Sequence, residues 1–430
     1  MKSAGSAGTP QTPSALAATA FWFKLGWISF GGPAGQIAIM HRELVERRRW
    51  ISEARFLHAL NYCMLLPGPE AQQLATYIGW LLHRTRGGLI AGGLFVLPSL
   101  LILIGLTWTY VAYGHLTLVS GLLYGIKPAV VAIIVHATFR IGRRTLRSVF
   151  LAAIAVSAFI AIHLLTAPFP AVVGGAALLG ALAHRWRPGW LAAKPEATAD
   201  GPDAQPAHAR FRPPRALAAL GVAALLWLLP MTGLTWHYGW NHDYTQMGWF
   251  FTKAALLTFG GAYAVLPYIS QAAVAQYGWL SSGQMMDGLA LGEATPGPLI
   301  MVVAFVGFMG GYPLGIDGSA FWAGALGALI VTWFSFLPSF TFIFVGAPLV
   351  ESSGRHPAIS ASLAAITAAV VGVILNLAVY FGSQVFWPDG FDPVALMIAT
   401  VGTLTLIWRP NATIPLILAS ALCGVLLRGW

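Results

Sequence analysis

Apolar stretches long enough to cross a bilayer alternate with short polar loops along nearly the whole chain. Judged against the ~20 residues of a spanning helix, the pattern predicts six segments, then one, then six more. These segments are 15–40, 56–82, 87–113, 119–139, 148–165, 168–183, 216–232, 247–270, 284–311, 319–346, 358–382, 394–408 and 411–428. The short ones are either tilted fragments or parts of their neighbours, so we expect ten to thirteen helical elements.

Two polar stretches interrupt this pattern. Residues 1–14 are small and polar, lack the features of a secretory signal, and are predicted to form a disordered tail. Residues 185–215 are rich in proline and charge and are predicted to be a cytoplasmic linker. The chain then divides into a first repeat at 15–184, a connecting helix at 216–232 and a second repeat at 245–430.

Composition supports a polytopic membrane protein. Of the 430 residues, 57% are hydrophobic and 9% are charged, and the mean hydropathy is +0.72. An ordinary soluble domain has about 25% charged residues. The net charge of +10 lies in short basic groups between apolar segments, which is the positive-inside pattern and not the surface of a nucleic-acid-binding protein. It places loops 41–55, 140–147 and 184–215 in the cytoplasm.

The chain also repeats a set of residues at a constant interval of 229 positions. Each copy has a lysine, a Phe-Gly-Gly step, a tryptophan, a serine and a Pro-Gly-Pro step, in that order and without a gap. The first copy is Lys24, Phe30-Gly31-Gly32, Trp50, Ser52 and Pro67-Gly68-Pro69, and the second is Lys253, Phe259-Gly260-Gly261, Trp279, Ser281 and Pro296-Gly297-Pro298. A duplicated ancestor is the simplest cause.

The glycine and proline steps lie inside apolar segments, where they interrupt a helix. A Pro-Gly-Pro step lacks two backbone N–H donors and breaks the hydrogen-bond ladder. The half-helix that follows has free N–H groups at its start, which carry partial positive charge and suit an anion. Glycine at the Phe-Gly-Gly steps lets the backbone turn and lets a ligand approach. Broken helices paired in two halves are typical of transporters, and we expect the four breaks to meet near the midplane.

The basic residues indicate that the two copies face opposite sides. The stretch 41–50 carries four arginines, whereas the equivalent stretch 270–279 carries none. The predicted fold is therefore an all-α polytopic membrane protein. It has two inverted-topology repeats of about six helical segments, with broken or re-entrant helices, joined by one extra helix.

The segment 56–82 has two interpretations. If it simply spans, the arginine-rich loop before it and Arg84 with Arg86 after it fall on opposite sides of the membrane. A re-entrant hairpin that bends at Pro67-Gly68-Pro69 keeps them on one side, and we favour it.

Charged residues inside apolar segments are candidates for function because they are costly there. Lys24 and Lys253 are predicted to bind an anion, or else to snorkel to the interface. Glu70 and Glu293 flank the Pro-Gly-Pro steps and are candidates for proton coupling or for charge balance with the lysines, with helix capping as the alternative for Glu70. Asp287, near a segment start, is expected to be interfacial.

Several polar side chains lie around the first Pro-Gly-Pro step, among them Gln72 and Gln73. Gln72 and Gln73 either donate hydrogen bonds to an oxyanion or satisfy backbone groups freed by the prolines. Cys63 and Cys423 are far apart in sequence, and the eleven histidines are scattered. We therefore expect no disulfide, no metal site and no cofactor. We also do not expect the protein to be an enzyme.

These motifs resemble the chromate ion transporter family in its long, two-domain form. The resemblance rests on Phe30-Gly31-Gly32-Pro33, on the stretches 65–80 and 294–308, and on Phe259-Gly260-Gly261, where Ala262 replaces the proline. It implies an inner-membrane protein that exports chromate, a tetrahedral dianion isosteric with sulfate, and confers chromate resistance. A sulfate or general oxyanion carrier and a passive anion channel remain alternatives, and the oligomeric state, a homodimer included, stays open.

The hypothesis for mechanism is alternating access between the two pseudo-symmetric halves, with chromate bound between the two Pro-Gly-Pro breaks. The candidate anion-binding residues are Lys24, Gly31, Gly32, Pro67, Gly68, Pro69, Gln72, Gln73, Lys253, Gly260, Gly261, Pro296, Gly297 and Pro298.

Overall fold

The computed structural model describes residues 13–30, 32–114, 116–186, 212–259, 261–315, 318–350, 357–388, 390–410 and 412–428. Regular structure in these residues is helical. The helices are α1 (Ala15–Ile28), α2 (Gly32–His41), α3 (Glu53–Cys63), α4 (Glu70–Tyr113), α5 (Thr117–Thr145), α6 (Val149–His163), α7 (Phe169–Trp186), α8 (Pro213–Tyr238), α9 (Asp243–Leu257), α10 (Ala262–Gln271), α11 (Ser282–Ala294), α12 (Val302–Gly311), α13 (Ala320–Val350), α14 (Pro357–Phe386), α15 (Pro393–Trp408) and α16 (Thr413–Arg428).

The order of elements in the first repeat recurs in the second. A short helix, α2 or α10, runs into a wide π-helical turn, Arg42–Arg47 or Ala272–Gln276, and a second short helix follows, α3 or α11. The repeated serines explain where that second helix begins. Ser52 is the N-cap of α3, and Ser281 forms a capping box with Gln284 at the start of α11.

A salt bridge stabilises the π-helical turn of the first repeat. Arg47 Nη1 donates to Glu43 Oε1 over 2.7 Å, and this hydrogen bond lowers the pKa of Glu43. The equivalent turn, 272–276, contains no charged residue.

The chain folds back at the first Pro-Gly-Pro step and again within α4. Tyr62 on α3 lies 5.8 Å from Tyr77 on α4, measured between ring centroids, so these helices pair across the break. The backbone of α4 then leaves helical geometry at His83 and Arg84. Beyond this kink Gly87 packs closely on Gly79, so α4 is a hairpin of two arms. The sequence favours a bend at Pro67-Gly68-Pro69 for 56–82, and the pairing of Tyr62 with Tyr77 agrees with that bend; re-entry from the membrane stays a prediction.

In the second repeat the two arms are separate helices. Gly307 on α12 packs against Gly327 on α13. A 3₁₀ turn, Leu299–Met301, precedes α12 and directly follows the second Pro-Gly-Pro step.

The helices form two bundles, and each bundle takes helices from both halves of the chain. One contains α1, α4, α9, α12 and α13, with α8 against α9 and α13. The other contains α5, α6, α7, α14, α15 and α16. In the second bundle α5 packs on α15 and α16 in the same way as α14 packs on α6 and α7. The two halves therefore interlock and are not separate packing units.

Small residues permit the close helix contacts of the second bundle. Gly125 on α5 lies against Gly424 on α16, and Gly180 on α7 lies against Ala361 on α14. Gly372 on α14 lies against Ala155 on α6. A larger side chain at any of these glycines would meet the backbone of its neighbour.

Five helices in the described residues are long and apolar enough to cross a membrane: α4, α5, α8, and the parts Ala320–Pro348 of α13 and Ser360–Phe386 of α14. Shorter apolar helices accompany them. The chain is therefore a multi-pass membrane protein. Many large apolar side chains are exposed, as expected where lipid replaces water. On α8 only Met231 is buried.

Several sequence predictions differ in detail from these helices. The predicted segment 15–40 is two helices, α1 and α2, because the glycine step separates them. The predicted loop 140–147 consists largely of the last turns of α5. The predicted tail falls outside the described residues up to position 12, and the predicted linker does so over 187–211.

Candidate functional site

The two Pro-Gly-Pro breaks are each bonded to the Phe-Gly-Gly break of the other repeat. Gly68 N donates to the Thr258 carbonyl over 2.7 Å, and Gly297 N donates to the Ser29 carbonyl over 2.9 Å. The two donors are 229 positions apart, and so are the two acceptors. The breaks therefore meet in two pairs, each of which joins one repeat to the other; the meeting of all four near the midplane stays a prediction.

Ser29 and Thr258, whose carbonyls accept these bonds, have equivalent side-chain hydrogen bonds. The Ser29 hydroxyl donates to the Leu25 carbonyl, and the Thr258 hydroxyl donates to the Ala254 carbonyl, both over 2.6 Å. Each hydroxyl thereby closes the last turn of its helix and leaves its own backbone carbonyl to the glycine of the other repeat. We call each bonded pair of breaks a cradle: one contains Gly68 and Thr258, and the other contains Gly297 and Ser29. The two cradles have the same hydrogen bonds.

Glycine is required at the centre of each cradle. Gly68 has φ +127° and Gly297 has φ +107°, values that residues with a Cβ rarely adopt. A Cβ on Gly68 would lie 2.5 Å from Ser339 Oγ, and one on Gly297 would lie 2.7 Å from Ser99 Cβ. The neighbouring helices α13 and α4 leave no room for it.

The two serines beside these glycines are a feature that sequence analysis missed. Ser99 and Ser339 are each 1% exposed, and neither hydroxyl has a hydrogen-bond partner among the described residues. Each belongs to a Leu-Pro-Ser step, 97–99 and 337–339, and these steps are 240 positions apart. A search at the interval of 229 does not find them, although a search for a second interval would.

Glutamine side chains hold the breaks together. Gln73 Nε2 donates to the Pro67 carbonyl over 2.7 Å, and Gln72 Nε2 donates to Thr76 Oγ1 over 3.0 Å. Gln36, which sequence analysis also missed, donates to the carbonyls of Ser29 and Gly297. For Gln73 the structure thus shows the second of the two predicted roles, which is to satisfy backbone freed by proline. Gln36 and Gln73 are both buried.

Helix starts at the breaks lack side-chain caps. Pro69 precedes α4, Gly261 precedes α10 and Pro298 precedes the turn Leu299–Met301, and none of the three provides a capping side chain. Gly32 has φ +68° and begins α2. Free N–H groups at such starts carry partial positive charge. Gly31 and Gly260 lie outside the described residues.

One carboxylate lies at these positive ends. Glu70 is the first residue of α4, and its Oε1 would be 3.5 Å from a Cβ on Gly261 at the start of α10. The equivalent position in the second repeat is Leu299. The two cradles therefore have the same backbone hydrogen bonds but differ in the charge beside them.

Two arginines near the carboxylates come from α5. Arg140 and Arg144 are exposed and one turn apart, and both interact electrostatically with Glu70. Arg140 also interacts with Glu293, whose Oε1 accepts a 2.7 Å hydrogen bond from Tyr263. The sequence predicts a loop at both arginines, because a basic cluster at the end of an apolar segment does not show how far the helix extends.

The two lysines that are predicted to bind an anion, Lys24 and Lys253, take no part in the hydrogen bonds that join the breaks in the described residues. Lys24 lies on the exposed face of α1. Lys253 is half-buried, with Nζ 5.6 Å from the Trp249 ring centroid. Among the described residues, no ion pair joins either lysine to Glu70 or Glu293.

Asp287 is buried and has partners on two other helices. It is 4% exposed, accepts a 3.0 Å hydrogen bond from Tyr110 and lies 3.4 Å from Lys127 Nζ. A cation on α5 and a hydroxyl on α4 therefore compensate the buried charge, while the expectation of a residue at the membrane interface stays a prediction.

Comparison with known proteins agrees with this architecture of two repeats. The sequence profile of the chromate transporter family matches residues 16–181 and 245–425. No solved structure matches the chain.

Curated relatives match over most of their length. A chromate transport protein of Cupriavidus metallidurans is 30% identical over 97% of this chain and 94% of the relative. A chromate transport protein of Pseudomonas aeruginosa is 33% identical over 82% of this chain and 77% of the relative. A probable chromate transport protein of Synechococcus elongatus is 29% identical over 95% of this chain. The chain belongs to the chromate transporter family.

Proposed function

We propose that this protein exports chromate across a bacterial inner membrane by alternating access and so confers chromate resistance. The observation that carries the proposal is the pair of bonds Gly68 to Thr258 and Gly297 to Ser29. These bonds join each break of one repeat to a break of the other, and in this proposal the helix starts without side-chain caps at the breaks face a dianion.

Chromate binds between the two cradles in this proposal. Its oxygens accept hydrogen bonds from the free N–H groups at the helix starts and from the hydroxyls of Ser99 and Ser339. Both hydroxyls are buried and lack a partner among the described residues. A buried hydroxyl without a partner costs free energy, and an oxyanion that accepts its proton would recover it.

Glu70 is the resident charge that chromate has to replace. A carboxylate and a dianion compete for the same positive helix ends, so binding favours a protonated Glu70. Arg140 and Arg144 attract the incoming anion toward the site. Glu293 takes part in the same charge balance through Arg140. Proton release and uptake at the two glutamates would then accompany the transport cycle.

In this proposal the membrane potential determines the direction of net chromate transport. Moving one charge through 100 mV changes the free energy by about 2.3 kcal/mol. A dianion therefore leaves a negative interior with about twice that gain. Proton coupling modifies this driving force and does not replace it.

The two bundles, and not the two halves of the chain, are the moving bodies that we propose. Rocking of the halves would break the contacts of α5 with α16 and of α14 with α7, whereas sliding of one bundle on the other keeps them. The proposed pseudo-twofold axis in the membrane plane exchanges the repeats, so each half contributes equivalent helices to both bundles.

The packing supports an inward-open state. In the second repeat α10 packs on α14 and α11 packs on α5. The equivalent pairs in the first repeat, α2 with α5 and α3 with α14, make at most marginal contact in the described residues. With loop 41–55 in the cytoplasm, the loosely covered side faces the cytoplasm.

Chromate uptake into inverted membrane vesicles tests the function. An interior-positive potential is imposed, and external sulfate is graded. We expect uptake that follows the potential and resists sulfate, and no uptake in vesicles that contain the Gly68→Ala variant. Absence of potential-driven chromate uptake would contradict the proposal.

A general oxyanion carrier is the second candidate. Backbone N–H groups and hydroxyls recognise the shape and charge that chromate shares with sulfate. Full displacement of chromate by low sulfate would favour this candidate. A passive channel would conduct the anion but would not accumulate it against a gradient.

A further inference from the structure

A second cavity lies away from the breaks, between α4, α8 and α13. Its volume is about 990 Å³, and its lining residues lie within 80–100 of α4, 212–226 at the start of α8 and 329–348 of α13. Arg84, Arg212 and Arg215 line it near one end, and Leu100, Leu226 and Leu329 line it near the other. Leu97, Leu226 and Leu329 in its lining are 46%, 39% and 50% exposed, so the cavity is open to its surroundings and a lipid can enter it from the bilayer.

Small side chains on α8 create the space. Ala216, Ala219 and Ala223 face the cavity. These alanines do not fill the gap to α4, and α8 makes its main contacts with α9 and α13. The gap is therefore built into the sequence of α8 and is lined by methyl groups, which suit a hydrocarbon chain.

The length of the cavity also suits such a chain. From Arg212 to Leu226 the helix α8 advances fourteen residues, which is roughly 21 Å at about 1.5 Å per residue. The hydrocarbon core of a bilayer is ~30 Å thick. The cavity thus extends from the level of the arginines past the middle of the core.

The charge at the other end selects the headgroup. Three guanidinium groups come from two separate helices, from the kink of α4 and from the start of α8. Among the described residues no carboxylate lines the cavity. Guanidinium groups recognise phosphate oxygens through paired hydrogen bonds, and basic pockets between membrane helices bind acidic lipid headgroups.

We propose that this cavity is a binding site for an anionic phospholipid. Its phosphate lies among Arg84, Arg212 and Arg215, and one acyl chain lies between α8 and α4. The lipid fastens α8, which joins the two repeats, to the kink of the first one. The proposal is independent of what the protein transports.

Thermal unfolding of the purified full chain in detergent tests the site. Phosphatidylglycerol, phosphatidylcholine with the same acyl chains, and inorganic phosphate are each titrated. We expect phosphatidylglycerol to raise the unfolding temperature at a concentration about tenfold lower than phosphatidylcholine does, and phosphate to have no effect. Equal effects of the two lipids would overturn the proposal, and so would an effect of phosphate alone.

Two variants locate the effect. The triple change Arg84→Gln, Arg212→Gln and Arg215→Gln should abolish the preference for phosphatidylglycerol. Its control is Arg86→Gln, Arg143→Gln and Arg185→Gln, which removes the same charge from exposed arginines that do not line the cavity. If both triple variants lose the preference equally, the site lies elsewhere.

The acyl chain has its own variant. Ala223→Trp fills the apolar part of the cavity, whereas Leu225→Trp on the same helix lies outside it. We expect only Ala223→Trp to lower the amount of phosphatidylglycerol that co-purifies with the protein. Equal retention by both variants would show that no chain enters the cavity.

Discussion

The two hairpins that precede the Pro-Gly-Pro breaks have the same elements and opposite surroundings. The first hairpin is α2 with α3, and the second is α10 with α11. Leu57 on α3 is 41% exposed, whereas Met286, at the equivalent position of α11, is 1% exposed. Helices α5 and α14 cover the second hairpin, whereas in the described residues they make at most marginal contact with the first. Burial of a hairpin is therefore decided by the facing bundle and not by the hairpin itself.

The charges follow the same division. Asp287 and Glu293 on the second hairpin are buried beside Lys127 and Tyr263. On the first hairpin the equivalent positions are His58 and Met64, which are not buried. An asymmetric cover over two similar hairpins is what alternating access requires, because exchanging the cover opens the other side. Five predictions test this comparison.

The largest effect is expected at the breaks, where the two repeats are alike. Gly68→Ala and Gly297→Ala each place a Cβ into a closed space at a strained φ. We expect each to destabilise the protein by about 3 kcal/mol and to reduce chromate transport at least about tenfold. Thermal unfolding and vesicle uptake measure these effects.

Gly93→Ala is the control for both variants, because nothing lies within 4 Å of a Cβ at that position. A strong effect at one break and none at the other would contradict the equivalence of the two cradles.

Thiol labelling tests the difference between the hairpins. In a background with Cys63 and Cys423 replaced by alanine, Leu57→Cys should react with a water-soluble maleimide about 100-fold faster than Met286→Cys, because the buried site reacts only after local opening. Chromate that favours the opposite state should reduce this ratio. Equal rates without chromate would show that the asymmetric cover is absent in solution.

The ion pair between Asp287 on the second hairpin and Lys127 on α5 should stabilise the position in which α5 covers this hairpin. Asp287→Asn removes the charge that compensates Lys127, and we expect a loss of about 2 kcal/mol together with faster labelling at Met286→Cys. His58→Asn, at the equivalent position of the first hairpin, changes an exposed side chain and should cost less stability than Asp287→Asn. The prediction fails if labelling of Met286→Cys is unchanged.

The positions of the breaks could be predicted from the sequence because the cause is local. Pro-Gly-Pro removes backbone donors wherever it lies, and Ser52 and Ser281 cap the helix that follows them. Local chemistry and an interval of 229 positions were therefore sufficient to find the breaks, but not Ser29 and Thr258, whose carbonyls join them.

The remaining parts depend on packing that the sequence does not reveal. The partner of Asp287 is Lys127, 160 positions earlier, and such a pair is visible only in the folded chain. Ser99 and Ser339 were missed because the interval between the repeats changes to 240 after the second arm of the hairpin begins. Helix α1 is apolar on almost all sides, so no pattern shows that Lys24 lies on its exposed face.

Glu70 should make the two cradles differ in their response to pH. Glu70→Gln removes a charge from the start of α4, and we expect chromate to bind about tenfold more tightly with a flatter dependence of uptake on pH. Leu299→Gln adds the same amide to the equivalent position and should leave the pH dependence unchanged. Wild-type pH dependence in Glu70→Gln would exclude this carboxylate from coupling.

The smallest effects are expected at the two lysines that first marked the repeat. Lys24→Met changes an exposed side chain, and Lys253→Met removes a contact with Trp249 that is worth about 0.5–1 kcal/mol. We expect uptake to fall by less than about twofold in Lys24→Met and by about twofold to fivefold in Lys253→Met, and the double variant to equal their product. Lys24→Arg and Lys253→Arg keep the charge and serve as controls. If either Met variant abolishes uptake at normal expression while its Arg control does not, a lysine binds the anion directly, and the site extends along α1 or α9 beyond the four breaks.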